Sequence, residues 1–216
     1  MIKRFLLTAV ILTFFSAVHV RAVEYGTRIP TSYFITAGNG ESDEGIPPDP
    51  YETFSYDLAL LKAGIEDFNV VFYTSVLPPE SYEISLDEAK GDFHHGAVLE
   101  SIMARVGGYK GDTLSTGIGR VWAVDSKGVC VGGFAAEYER IYEKQKVSAE
   151  IAERDAIEKL KESLGHELKI RGLKQTGEMK FNTTSIYVTK KYGMSLSAIC
   201  FVGFIFPVVE KSHKIK

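Results

Sequence analysis

Apolar residues recur in two parts of the chain at the spacing of a helix face. In residues 50–63, Tyr56, Leu60 and Ala63 fall on one stripe. Asp49 stands directly before this segment, and its side chain can accept hydrogen bonds from the first unpaired amides of a helix. The segment is therefore predicted to be a helix that buries one face.

The second helical pattern runs from Ser148 to about Gly172. Acidic and basic residues occupy one side of it, which is typical of a long surface helix packed along the other side. The apolar stripe of this helix comprises Ile157, Leu160, Leu164 and Leu168.

Short runs of β-branched and aromatic residues predict strands elsewhere. Residues 115–124 and 129–138 are separated by a turn sequence and indicate a hairpin. Residues 95–107 fit a strand or a helix, and residues 38–50, rich in glycine, proline and acid, are predicted to be a loop. A turn at Tyr192-Gly193 is expected to join two further predicted strands, residues 181–190 and 195–206. Strands are also predicted at residues 31–37 and 69–75, and the β-branched and aromatic run at 69–75 is predicted to be buried.

The order of these elements favours an α+β fold. Many connections are short enough for antiparallel pairing, and helices with one apolar face pack on the outside of sheets. We therefore expect a layered αββα sandwich with mostly antiparallel sheets. The composition, 45% hydrophobic and 25% charged over 216 residues, is that of a folded soluble protein. A sequence pI of about 6.0 provides no basic surface for nucleic acid.

Residues 1–22 differ in character from the remainder. Lys3 and Arg4 precede an apolar run that closes with small residues, which is the layout of a secretory signal peptide. The alternative is an untranslated extension, with Val23 at the true start. The first predicts a periplasmic or exported protein and the second a cytoplasmic one, and both leave residues 23–216 as a single domain. No later segment has the length to span a bilayer, so the mature domain is not expected to enter a membrane.

The common catalytic motifs are missing from the sequence, which has no glycine-rich phosphate loop, no zinc-protease motif and no nucleophile elbow. Cys130 and Cys200 lack metal-ligand spacing and stand in apolar runs, which predicts two buried free thiols. The acidic loop at residues 38–50 would repel a phosphate. It suits a cation or, more simply, is an exposed acidic loop. We expect no metal cofactor, and these motifs alone leave an unassigned α+β domain.

One long stretch of the sequence is more informative. Residues 25–79, which end in YETFSYDLALLKAGIEDFNVVFYTSVLPP, resemble the bacterial branch of the pyruvoyl-dependent arginine decarboxylases. The likeness covers nearly all of residues 23–207 and includes HGAVLESIMA at 95–104, STGIG at 115–119 and GGFAAEYE at 132–139. The resemblance implies an enzyme that converts L-arginine to agmatine and carbon dioxide.

The resemblance points to Thr74-Ser75 as a self-cleavage site that divides the domain into residues 23–74 and 75–216. A serine hydroxyl held against the preceding carbonyl can attack it and turn the amide into an ester. Elimination and loss of ammonia then leave a pyruvoyl group in place of Ser75. This ketone takes the electron-accepting role that pyridoxal phosphate has elsewhere, so no pyridoxal phosphate is expected. The alternative is a hydroxyl pair that only bonds to nearby backbone.

Two further residues match functional positions of the family. Glu137, within GGFAAEYE, corresponds to the acid that returns a proton to the substrate α-carbon. Asn69 corresponds to an asparagine whose amide binds the oxyanion formed during self-cleavage. Each has a structural alternative. Glu137 is otherwise a solvent-facing residue of an amphipathic strand, and Asn69 a residue that bonds to local backbone.

The family match also supplies substrate-binding candidates. Asp57, on the first helix, corresponds to an aspartate of the family, and a carboxylate pairs with a guanidinium through two parallel hydrogen bonds. Asp57 is otherwise a plain polar helix position. Ser42 and Glu44 are further candidates for the polar groups of the substrate. The resemblance implies a homotrimer of cleaved pairs, with Asp57 and Ser75 of one site on different copies.

Two hypotheses of different classes follow. The first is a self-processing arginine decarboxylase, which consumes a proton and so suits acid resistance, or a variant of it that acts on another basic amino acid. The second is a catalytically inactive relative that serves as an exported binding domain. The intact Thr74-Ser75 pair, together with Asn69 and Glu137, favours the enzyme.

Overall fold

The computed structural model describes residues 25–44 and 50–208, with side chains of the first helix described from Thr53 onward. The predictions for residues 1–22 and for the Asp49 cap fall outside the described residues. The elements are, in chain order, β1 Ile29–Pro30, β2 Ser32–Ser42, α1 Pro50–Ala63, β3 Asn69–Phe72, β4 Val76–Leu77, β5 Tyr82–Glu83, α2 Leu86–Ala89, a 3-10 turn Lys90–Asp92, β6 Val98–Tyr109, β7 Thr113–Val124, β8 Cys130–Tyr142, α3 Ala149–Ile170, β9 Lys174–Tyr187, β10 Tyr192–Phe201 and β11 Phe204–Ile205.

Most strands belong to two sheets. The five-stranded sheet has the order β3-β6-β10-β2-β5, with an antiparallel centre and with β3 and β5 joined to it in parallel at the edges. The four-stranded sheet has the order β4-β8-β7-β9 and is antiparallel throughout. β1 and β11 form a separate antiparallel pair. The predominance of antiparallel pairing confirms the predicted α+β class.

Three apolar clusters show how the layers stack. The first lies between α1 and the five-stranded sheet around Phe34, the second between the two sheets around Ile118, and the third between the four-stranded sheet and α3 around Leu164. These three side chains are fully buried, and such burial contributes about 1.5–3 kcal/mol for each. The order of layers is helix, sheet, sheet, helix, which is the αββα sandwich expected from the sequence.

Helix α1 lies directly on β2, and this contact corrects the loop predicted to begin at Gly38. β2 continues to Ser42 and pairs with β10 along this length. A Cβ on Gly38 would come within 2.0 Å of the Ala59 carbonyl oxygen, and one on Gly40 within 2.3 Å of the Ser55 carbonyl oxygen. The glycines therefore permit a close helix–sheet contact rather than a loop.

Helix α3 follows its predicted pattern. The Ser148 side chain caps its start by accepting from the Ile151 N–H, and Gly172 follows its end with a φ of +64°. Ile157 is only half-buried and so lies at the margin of the predicted stripe. Within the part of the chain that the structure describes, no helix is long and apolar enough to cross a bilayer. The buried side chains of α3 are Ala152, Ala156, Leu160, Leu164 and Leu168.

Several strand ends differ from the prediction. The ambiguous residues 95–107 are for the most part strand, within β6. β9 begins at Lys174, earlier than predicted. The turn between β9 and β10 falls at residues 188–191 rather than at Tyr192-Gly193, because both of those residues are already paired with β2 and β6.

The predicted hairpin is confirmed as β7 and β8, which turn at residues 125–128. The prediction of two buried thiols is correct for Cys200, whose pKa is raised by burial, and wrong for Cys130, which is exposed. Cys130 lies at the hairpin tip, where the pairing of the strands shifts register and where Val129 and Val131 are exposed as well.

Candidate active site

Residues 73–75 connect the five-stranded sheet to the four-stranded sheet, and this segment is the crossing between the sheets. β3 lies at the edge of the five-stranded sheet, parallel to β6, and β4 lies at the edge of the four-stranded sheet, against β8. The Tyr73 N–H donates to the Ser101 carbonyl at 2.7 Å, and the Ala135 N–H donates to the Ser75 carbonyl at 2.9 Å. The peptide bond between Thr74 and Ser75 therefore lies between two backbone anchors, one in each sheet.

This segment is more exposed than its apolar sequence predicts. The prediction of a buried strand over residues 69–75 is wrong, because β3 ends at Phe72, and Val71 and Phe72 are 44% and 47% exposed. An edge strand has a neighbour on one side only, so burial of its side chains is incomplete. Thr74 is exposed and Ser75 half-buried, so the crossing opens to the surface of the single chain.

The carbonyl of Thr74 accepts a hydrogen bond from the Val76 N–H at 3.1 Å. Its oxygen is the atom that becomes negatively charged if the Ser75 hydroxyl attacks the Thr74 carbonyl carbon. A backbone N–H that already points at this oxygen stabilises the charge without reorganisation. Sequence reasoning missed this donor, because a backbone hydrogen bond in a tight turn depends on the path of the chain and not on residue type.

The side chains of Ser75 and Glu137 are in direct contact. The Ser75 hydroxyl donates to the Glu137 carboxylate, with Oγ 3.1 Å from Oε2 and 3.3 Å from Oε1. The pairing of β4 with β8 brings them together, because it places Val76 opposite Phe134. A carboxyl at this distance can take the hydroxyl proton, or return a proton to a molecule held at residue 75.

The Glu137 side chain is exposed on the single chain, but protein atoms around its carboxyl remove part of its hydration, and this partial burial is the chief cause of its raised pKa. The hydrogen bond from Ser75 opposes this rise in pKa, and the charge of Glu139 adds to it. Glu139 itself accepts a hydrogen bond from the Arg105 N–H at 2.8 Å, which links β8 to β6. A carboxyl that keeps its proton to higher pH is suited to be a general acid.

Asn69 lies at the start of β3, where it bonds to the segment before β6. Its amide donates to the Gly96 carbonyl at 2.9 Å, and its backbone N–H donates to the Ala97 carbonyl at 2.9 Å. Within the residues that the structure describes, it forms no hydrogen bond with Thr74. This geometry is that of the structural alternative, and a role for Asn69 at the cleaved bond stays a prediction.

The three substrate-binding candidates lie on or just after β2 and on α1. Ser42 is buried, and its hydroxyl accepts a hydrogen bond from the Glu44 N–H at 3.0 Å. Asp57 and Glu44 are exposed. Among the described residues, none of the three forms a hydrogen bond or ion pair with Ser75. The structure therefore brings together the catalytic candidates Ser75 and Glu137, but not the substrate-binding ones, within one chain.

Sequence reasoning also missed an ion pair behind the crossing. Glu100, 3% exposed on β6, pairs with Arg28, which in turn donates to the Tyr73 hydroxyl at 3.4 Å. The Arg28 guanidinium lies 4.6 Å from the centre of the Phe204 ring. These contacts hold the residue that precedes Thr74. The sequence did contain one indication of this ion pair, because Glu100 stands in a largely apolar strand and a buried carboxylate requires a partner.

The groups at the crossing form a set suited to acyl transfer. They are a hydroxyl, an adjacent carbonyl with a backbone donor on its oxygen, and a carboxyl with a raised pKa. Within residues 25–44 and 53–208, no three side chains come together in a way that would hold a metal ion.

Known proteins match this chain over most of its length. The model of the family described as pyruvoyl-dependent arginine decarboxylase matches residues 32–206, which include the crossing and Glu137. Pyruvoyl-dependent arginine decarboxylase AaxB of Chlamydia caviae is 46% identical over 185 residues, 83% of this chain and 94% of that protein. AaxB of Chlamydia pneumoniae gives the same identity and coverage. Pyruvoyl-dependent arginine decarboxylase 1 of Methanosarcina acetivorans is 32% identical over 111 residues, 51% of this chain and 61% of that protein. The chain thus belongs to the pyruvoyl-dependent arginine decarboxylase family.

Proposed function

We propose that this chain cleaves its own backbone between Thr74 and Ser75 and then decarboxylates L-arginine to agmatine and carbon dioxide. The observation that carries the proposal is the 3.1 Å contact between the Ser75 hydroxyl and the Glu137 carboxyl at the crossing between the sheets. Family membership supports the enzyme class, and the named relatives support arginine as the substrate.

Self-cleavage follows from the groups at the crossing. The Ser75 oxygen attacks the Thr74 carbonyl carbon, the C–N bond breaks, and an ester joins the two residues. Glu137 lies close enough to take the hydroxyl proton, and the Val76 N–H meets the developing oxyanion. Loss of the α-proton of residue 75 then expels the Thr74 carboxylate. Addition of a water molecule and departure of ammonia leave a ketone on residue 75.

The residues of the crossing fit a pyruvoyl group formed from Ser75. When present, this group supplies a ketone that accepts the electrons released as carbon dioxide leaves. Glu137 lies beside the same residue, and its raised pKa favours the protonated form that delivers a proton to the substrate α-carbon. Because this proton stays in the product, each turnover consumes a proton, which suits acid resistance. This scheme needs neither pyridoxal phosphate nor a metal ion.

Asp57 is the proposed partner of the substrate guanidinium. It is exposed on α1 and has no ion-pair partner among the described residues, so its carboxylate can accept two parallel hydrogen bonds from a guanidinium. Ser42 and Glu44 are proposed to contact other polar groups of the substrate. The Glu44 N–H donates to the Ser42 hydroxyl at 3.0 Å, so the two residues lie close together at the end of β2.

The outer face of α1 supports assembly into an oligomer. Phe54, Leu58 and Leu61 are 42%, 42% and 55% exposed and recur at the spacing of a helix face, beside Asp57. An apolar stripe on a surface helix is typical of an interface. We propose a homotrimer of cleaved pairs in which Asp57 of one copy faces Ser75 of the next. This arrangement accounts for the lack of a bond between these two residues within one chain.

The place of action depends on residues 1–22, which lie outside the described residues. We propose a cytoplasmic enzyme if the chain starts at Val23, and a periplasmic one if residues 1–22 are a cleaved export signal. Sequencing the small fragment of a protein translated from Met1 separates these outcomes. A start at Val23 in that experiment shows removal by a signal peptidase.

Release of labelled carbon dioxide from carboxyl-labelled L-arginine tests the proposed function. We expect the wild-type protein to release carbon dioxide and agmatine in equal amounts, and to prefer arginine to ornithine and lysine. Ser75→Ala is expected to be inactive. Ser126→Ala, which removes an exposed turn hydroxyl, is the matched control and should remain active. A folded wild-type protein without any such release would support the inactive binding domain instead.

A further inference from the structure

Arg105 holds a guanidinium beside the crossing. Its Cζ atom lies 5.2 Å from the centre of the Tyr56 ring and 5.0 Å from that of the Phe72 ring, so two aromatic side chains position the group by cation–π contacts. The Arg105 N–H donates to Glu139 at 2.8 Å, which fixes the backbone from which the side chain extends. Contact with the ring faces leaves the guanidinium N–H groups able to bind an acceptor.

The charge of Arg105 has no carboxylate partner within residues 25–44 and 53–208. Arg28, which also lies near β3, pairs with buried Glu100, and Arg120 pairs with Glu83. A guanidinium that aromatic rings hold in place and that lacks an anion is an incomplete carboxylate site, because its planar fork matches a carboxylate.

The register of β3 on β6 directs the chain towards Arg105. Phe72 lies opposite Ser101 in the parallel pairing. The pairing ends with the Tyr73 N–H, which donates to the Ser101 carbonyl, and Arg105 lies four residues further along β6 on the face that carries Ser101. Two residues of chain span at most about 7 Å, so Thr74 lies within the length of an arginine side chain from Phe72. Phe72, whose ring contacts the guanidinium, precedes Thr74 by two residues.

Self-cleavage, on which this inference rests, creates a new anion at Thr74. Ordinary proteolysis leaves a carboxylate and an ammonium group. Here the nitrogen of residue 75 departs as ammonia, so the new amino end is neutral and the protein gains a negative charge. Glu139 already lies beside the Arg105 backbone, and like charges at short range repel one another. A cation is therefore needed to hold the new end where it forms.

We propose that Arg105 binds the terminal carboxylate of Thr74 and so keeps the end of the small fragment beside the site. The α-carboxylate of the substrate is the other carboxylate that reaches this region. A guanidinium paired with that group would stabilise the substrate more than the transition state, in which the charge leaves as carbon dioxide. The Thr74 carboxylate keeps its charge through every turnover and is the occupant that this chemistry favours.

Trimming by a serine carboxypeptidase, followed by intact-mass measurement, tests the assignment on the self-processed full chain. In the wild type we expect the small fragment to keep Thr74. In Arg105→Gln we expect Thr74 to be removed about tenfold faster, the effect of losing a charge-assisted hydrogen-bonded pair. Arg154→Gln, which removes an exposed arginine from α3, is the matched control and should protect Thr74 as the wild type does. Equal trimming of the wild type and Arg105→Gln would overturn the assignment.

The fragment masses separate this site from the self-cleavage that it requires. A wild-type chain that stays whole overturns both proposals. Two fragments whose trimming is the same with and without Arg105 overturn the carboxylate site alone.

If Arg105→Gln does not undergo self-cleavage, the wild-type protein with carbonyl-labelled threonine provides a second readout. The pKa of the Thr74 carboxylate is expected to be lower in the native protein than in the denatured one, and an equal pKa overturns the site. If KM for arginine rises tenfold in Arg105→Gln while Thr74 stays protected, Arg105 binds the substrate carboxylate and not that of Thr74. This result would overturn our assignment.

Discussion

The Ser75 hydroxyl lies 3.1 Å from Oε2 of Glu137, a residue 62 positions further along the chain. The contact exists because β3 and β4 belong to different sheets. The chain crosses from one sheet to the other between them, and β4 then pairs with β8, the strand that carries Glu137. One carboxyl is thereby placed for two tasks. It can take a proton from the hydroxyl during self-cleavage and later return a proton to a substrate held at the same residue.

Replacement of Glu137 tests the second of these tasks. Glu137→Gln keeps the size of the side chain but removes its acidic proton, and loss of a general acid lowers kcat by about 10²–10⁴-fold. We expect KM for arginine to change little. Glu178→Gln, which alters an exposed glutamate on β9, should keep the wild-type rate. Turnover is to be measured on protein that gel analysis shows to be cleaved, and a near-normal kcat in cleaved Glu137→Gln would remove Glu137 from the proton-transfer step.

The pH dependence of kcat reports the pKa of Glu137. The protonated form is the active one, so kcat is expected to fall as pH rises through this pKa, which lies above the usual value of about 4.3. Glu139→Gln removes a negative charge that raises the pKa of Glu137, so the fall should begin at lower pH. The glutamine can still accept the hydrogen bond from the Arg105 N–H. Identical profiles for Glu139→Gln and the wild type would contradict this electrostatic coupling.

Asp112 is expected to make stability depend on acid pH. Its carboxylate accepts hydrogen bonds from the Tyr109 N–H at 2.8 Å and from the Lys144 N–H at 3.0 Å. Burial acts to raise the pKa of Asp112, but the backbone donors and the Lys144 charge outweigh it, and the pKa is lowered. A lowered pKa adds stability above the unfolded value of about 3.9, and this stability is lost as pH falls through the folded pKa.

Asp112→Asn is therefore expected to lower the free energy of unfolding by about 1–3 kcal/mol at neutral pH, and by much less near pH 2. Urea unfolding at the two pH values measures both differences. Asp92→Asn, at an exposed position, serves as the control. An equal loss at both pH values would show that the charge of Asp112 is not responsible.

Gly38→Ala tests the close contact of α1 with β2. The new Cβ would lie 2.0 Å from the Ala59 carbonyl oxygen, so the helix has to move, and overpacking of this kind costs about 1–3 kcal/mol. Movement of α1 displaces Asp57, so KM for arginine should rise as well. Gly91→Ala adds the same methyl group with nothing within 4 Å and should leave both the free energy of unfolding and KM near wild type. Thermal unfolding measures the loss of stability, and steady-state kinetics measure the rise in KM. A Gly38→Ala variant as stable as Gly91→Ala would contradict the close contact.

Features that depend on local sequence could be predicted. Helix α3 follows from the periodicity of its apolar residues, and the β7–β8 hairpin follows from its turn residues. Features that depend on distant partners could not. The continuation of β2 past Gly38 requires α1 to lie on it, and the exposure of Phe72 requires β3 to be an edge strand.

The same division applies to the candidate site. Ser75 and Glu137 were identified by resemblance, but their contact depends on the pairing of β4 with β8, which residue types do not reveal. The Val76 N–H was missed because it belongs to the backbone. Arg105 was missed because an arginine in a strand shows no sign, in sequence alone, of the two rings that hold it.

The intact mass of the purified protein tests self-cleavage, the step on which all later chemistry depends, most directly. We predict two fragments that meet between Thr74 and Ser75, the larger one blocked at its amino end and reactive towards hydroxylamine. Ser75→Ala should remain a single chain. A wild-type protein that stays in one piece, with no carbonyl that hydroxylamine or borohydride can trap, would contradict the account.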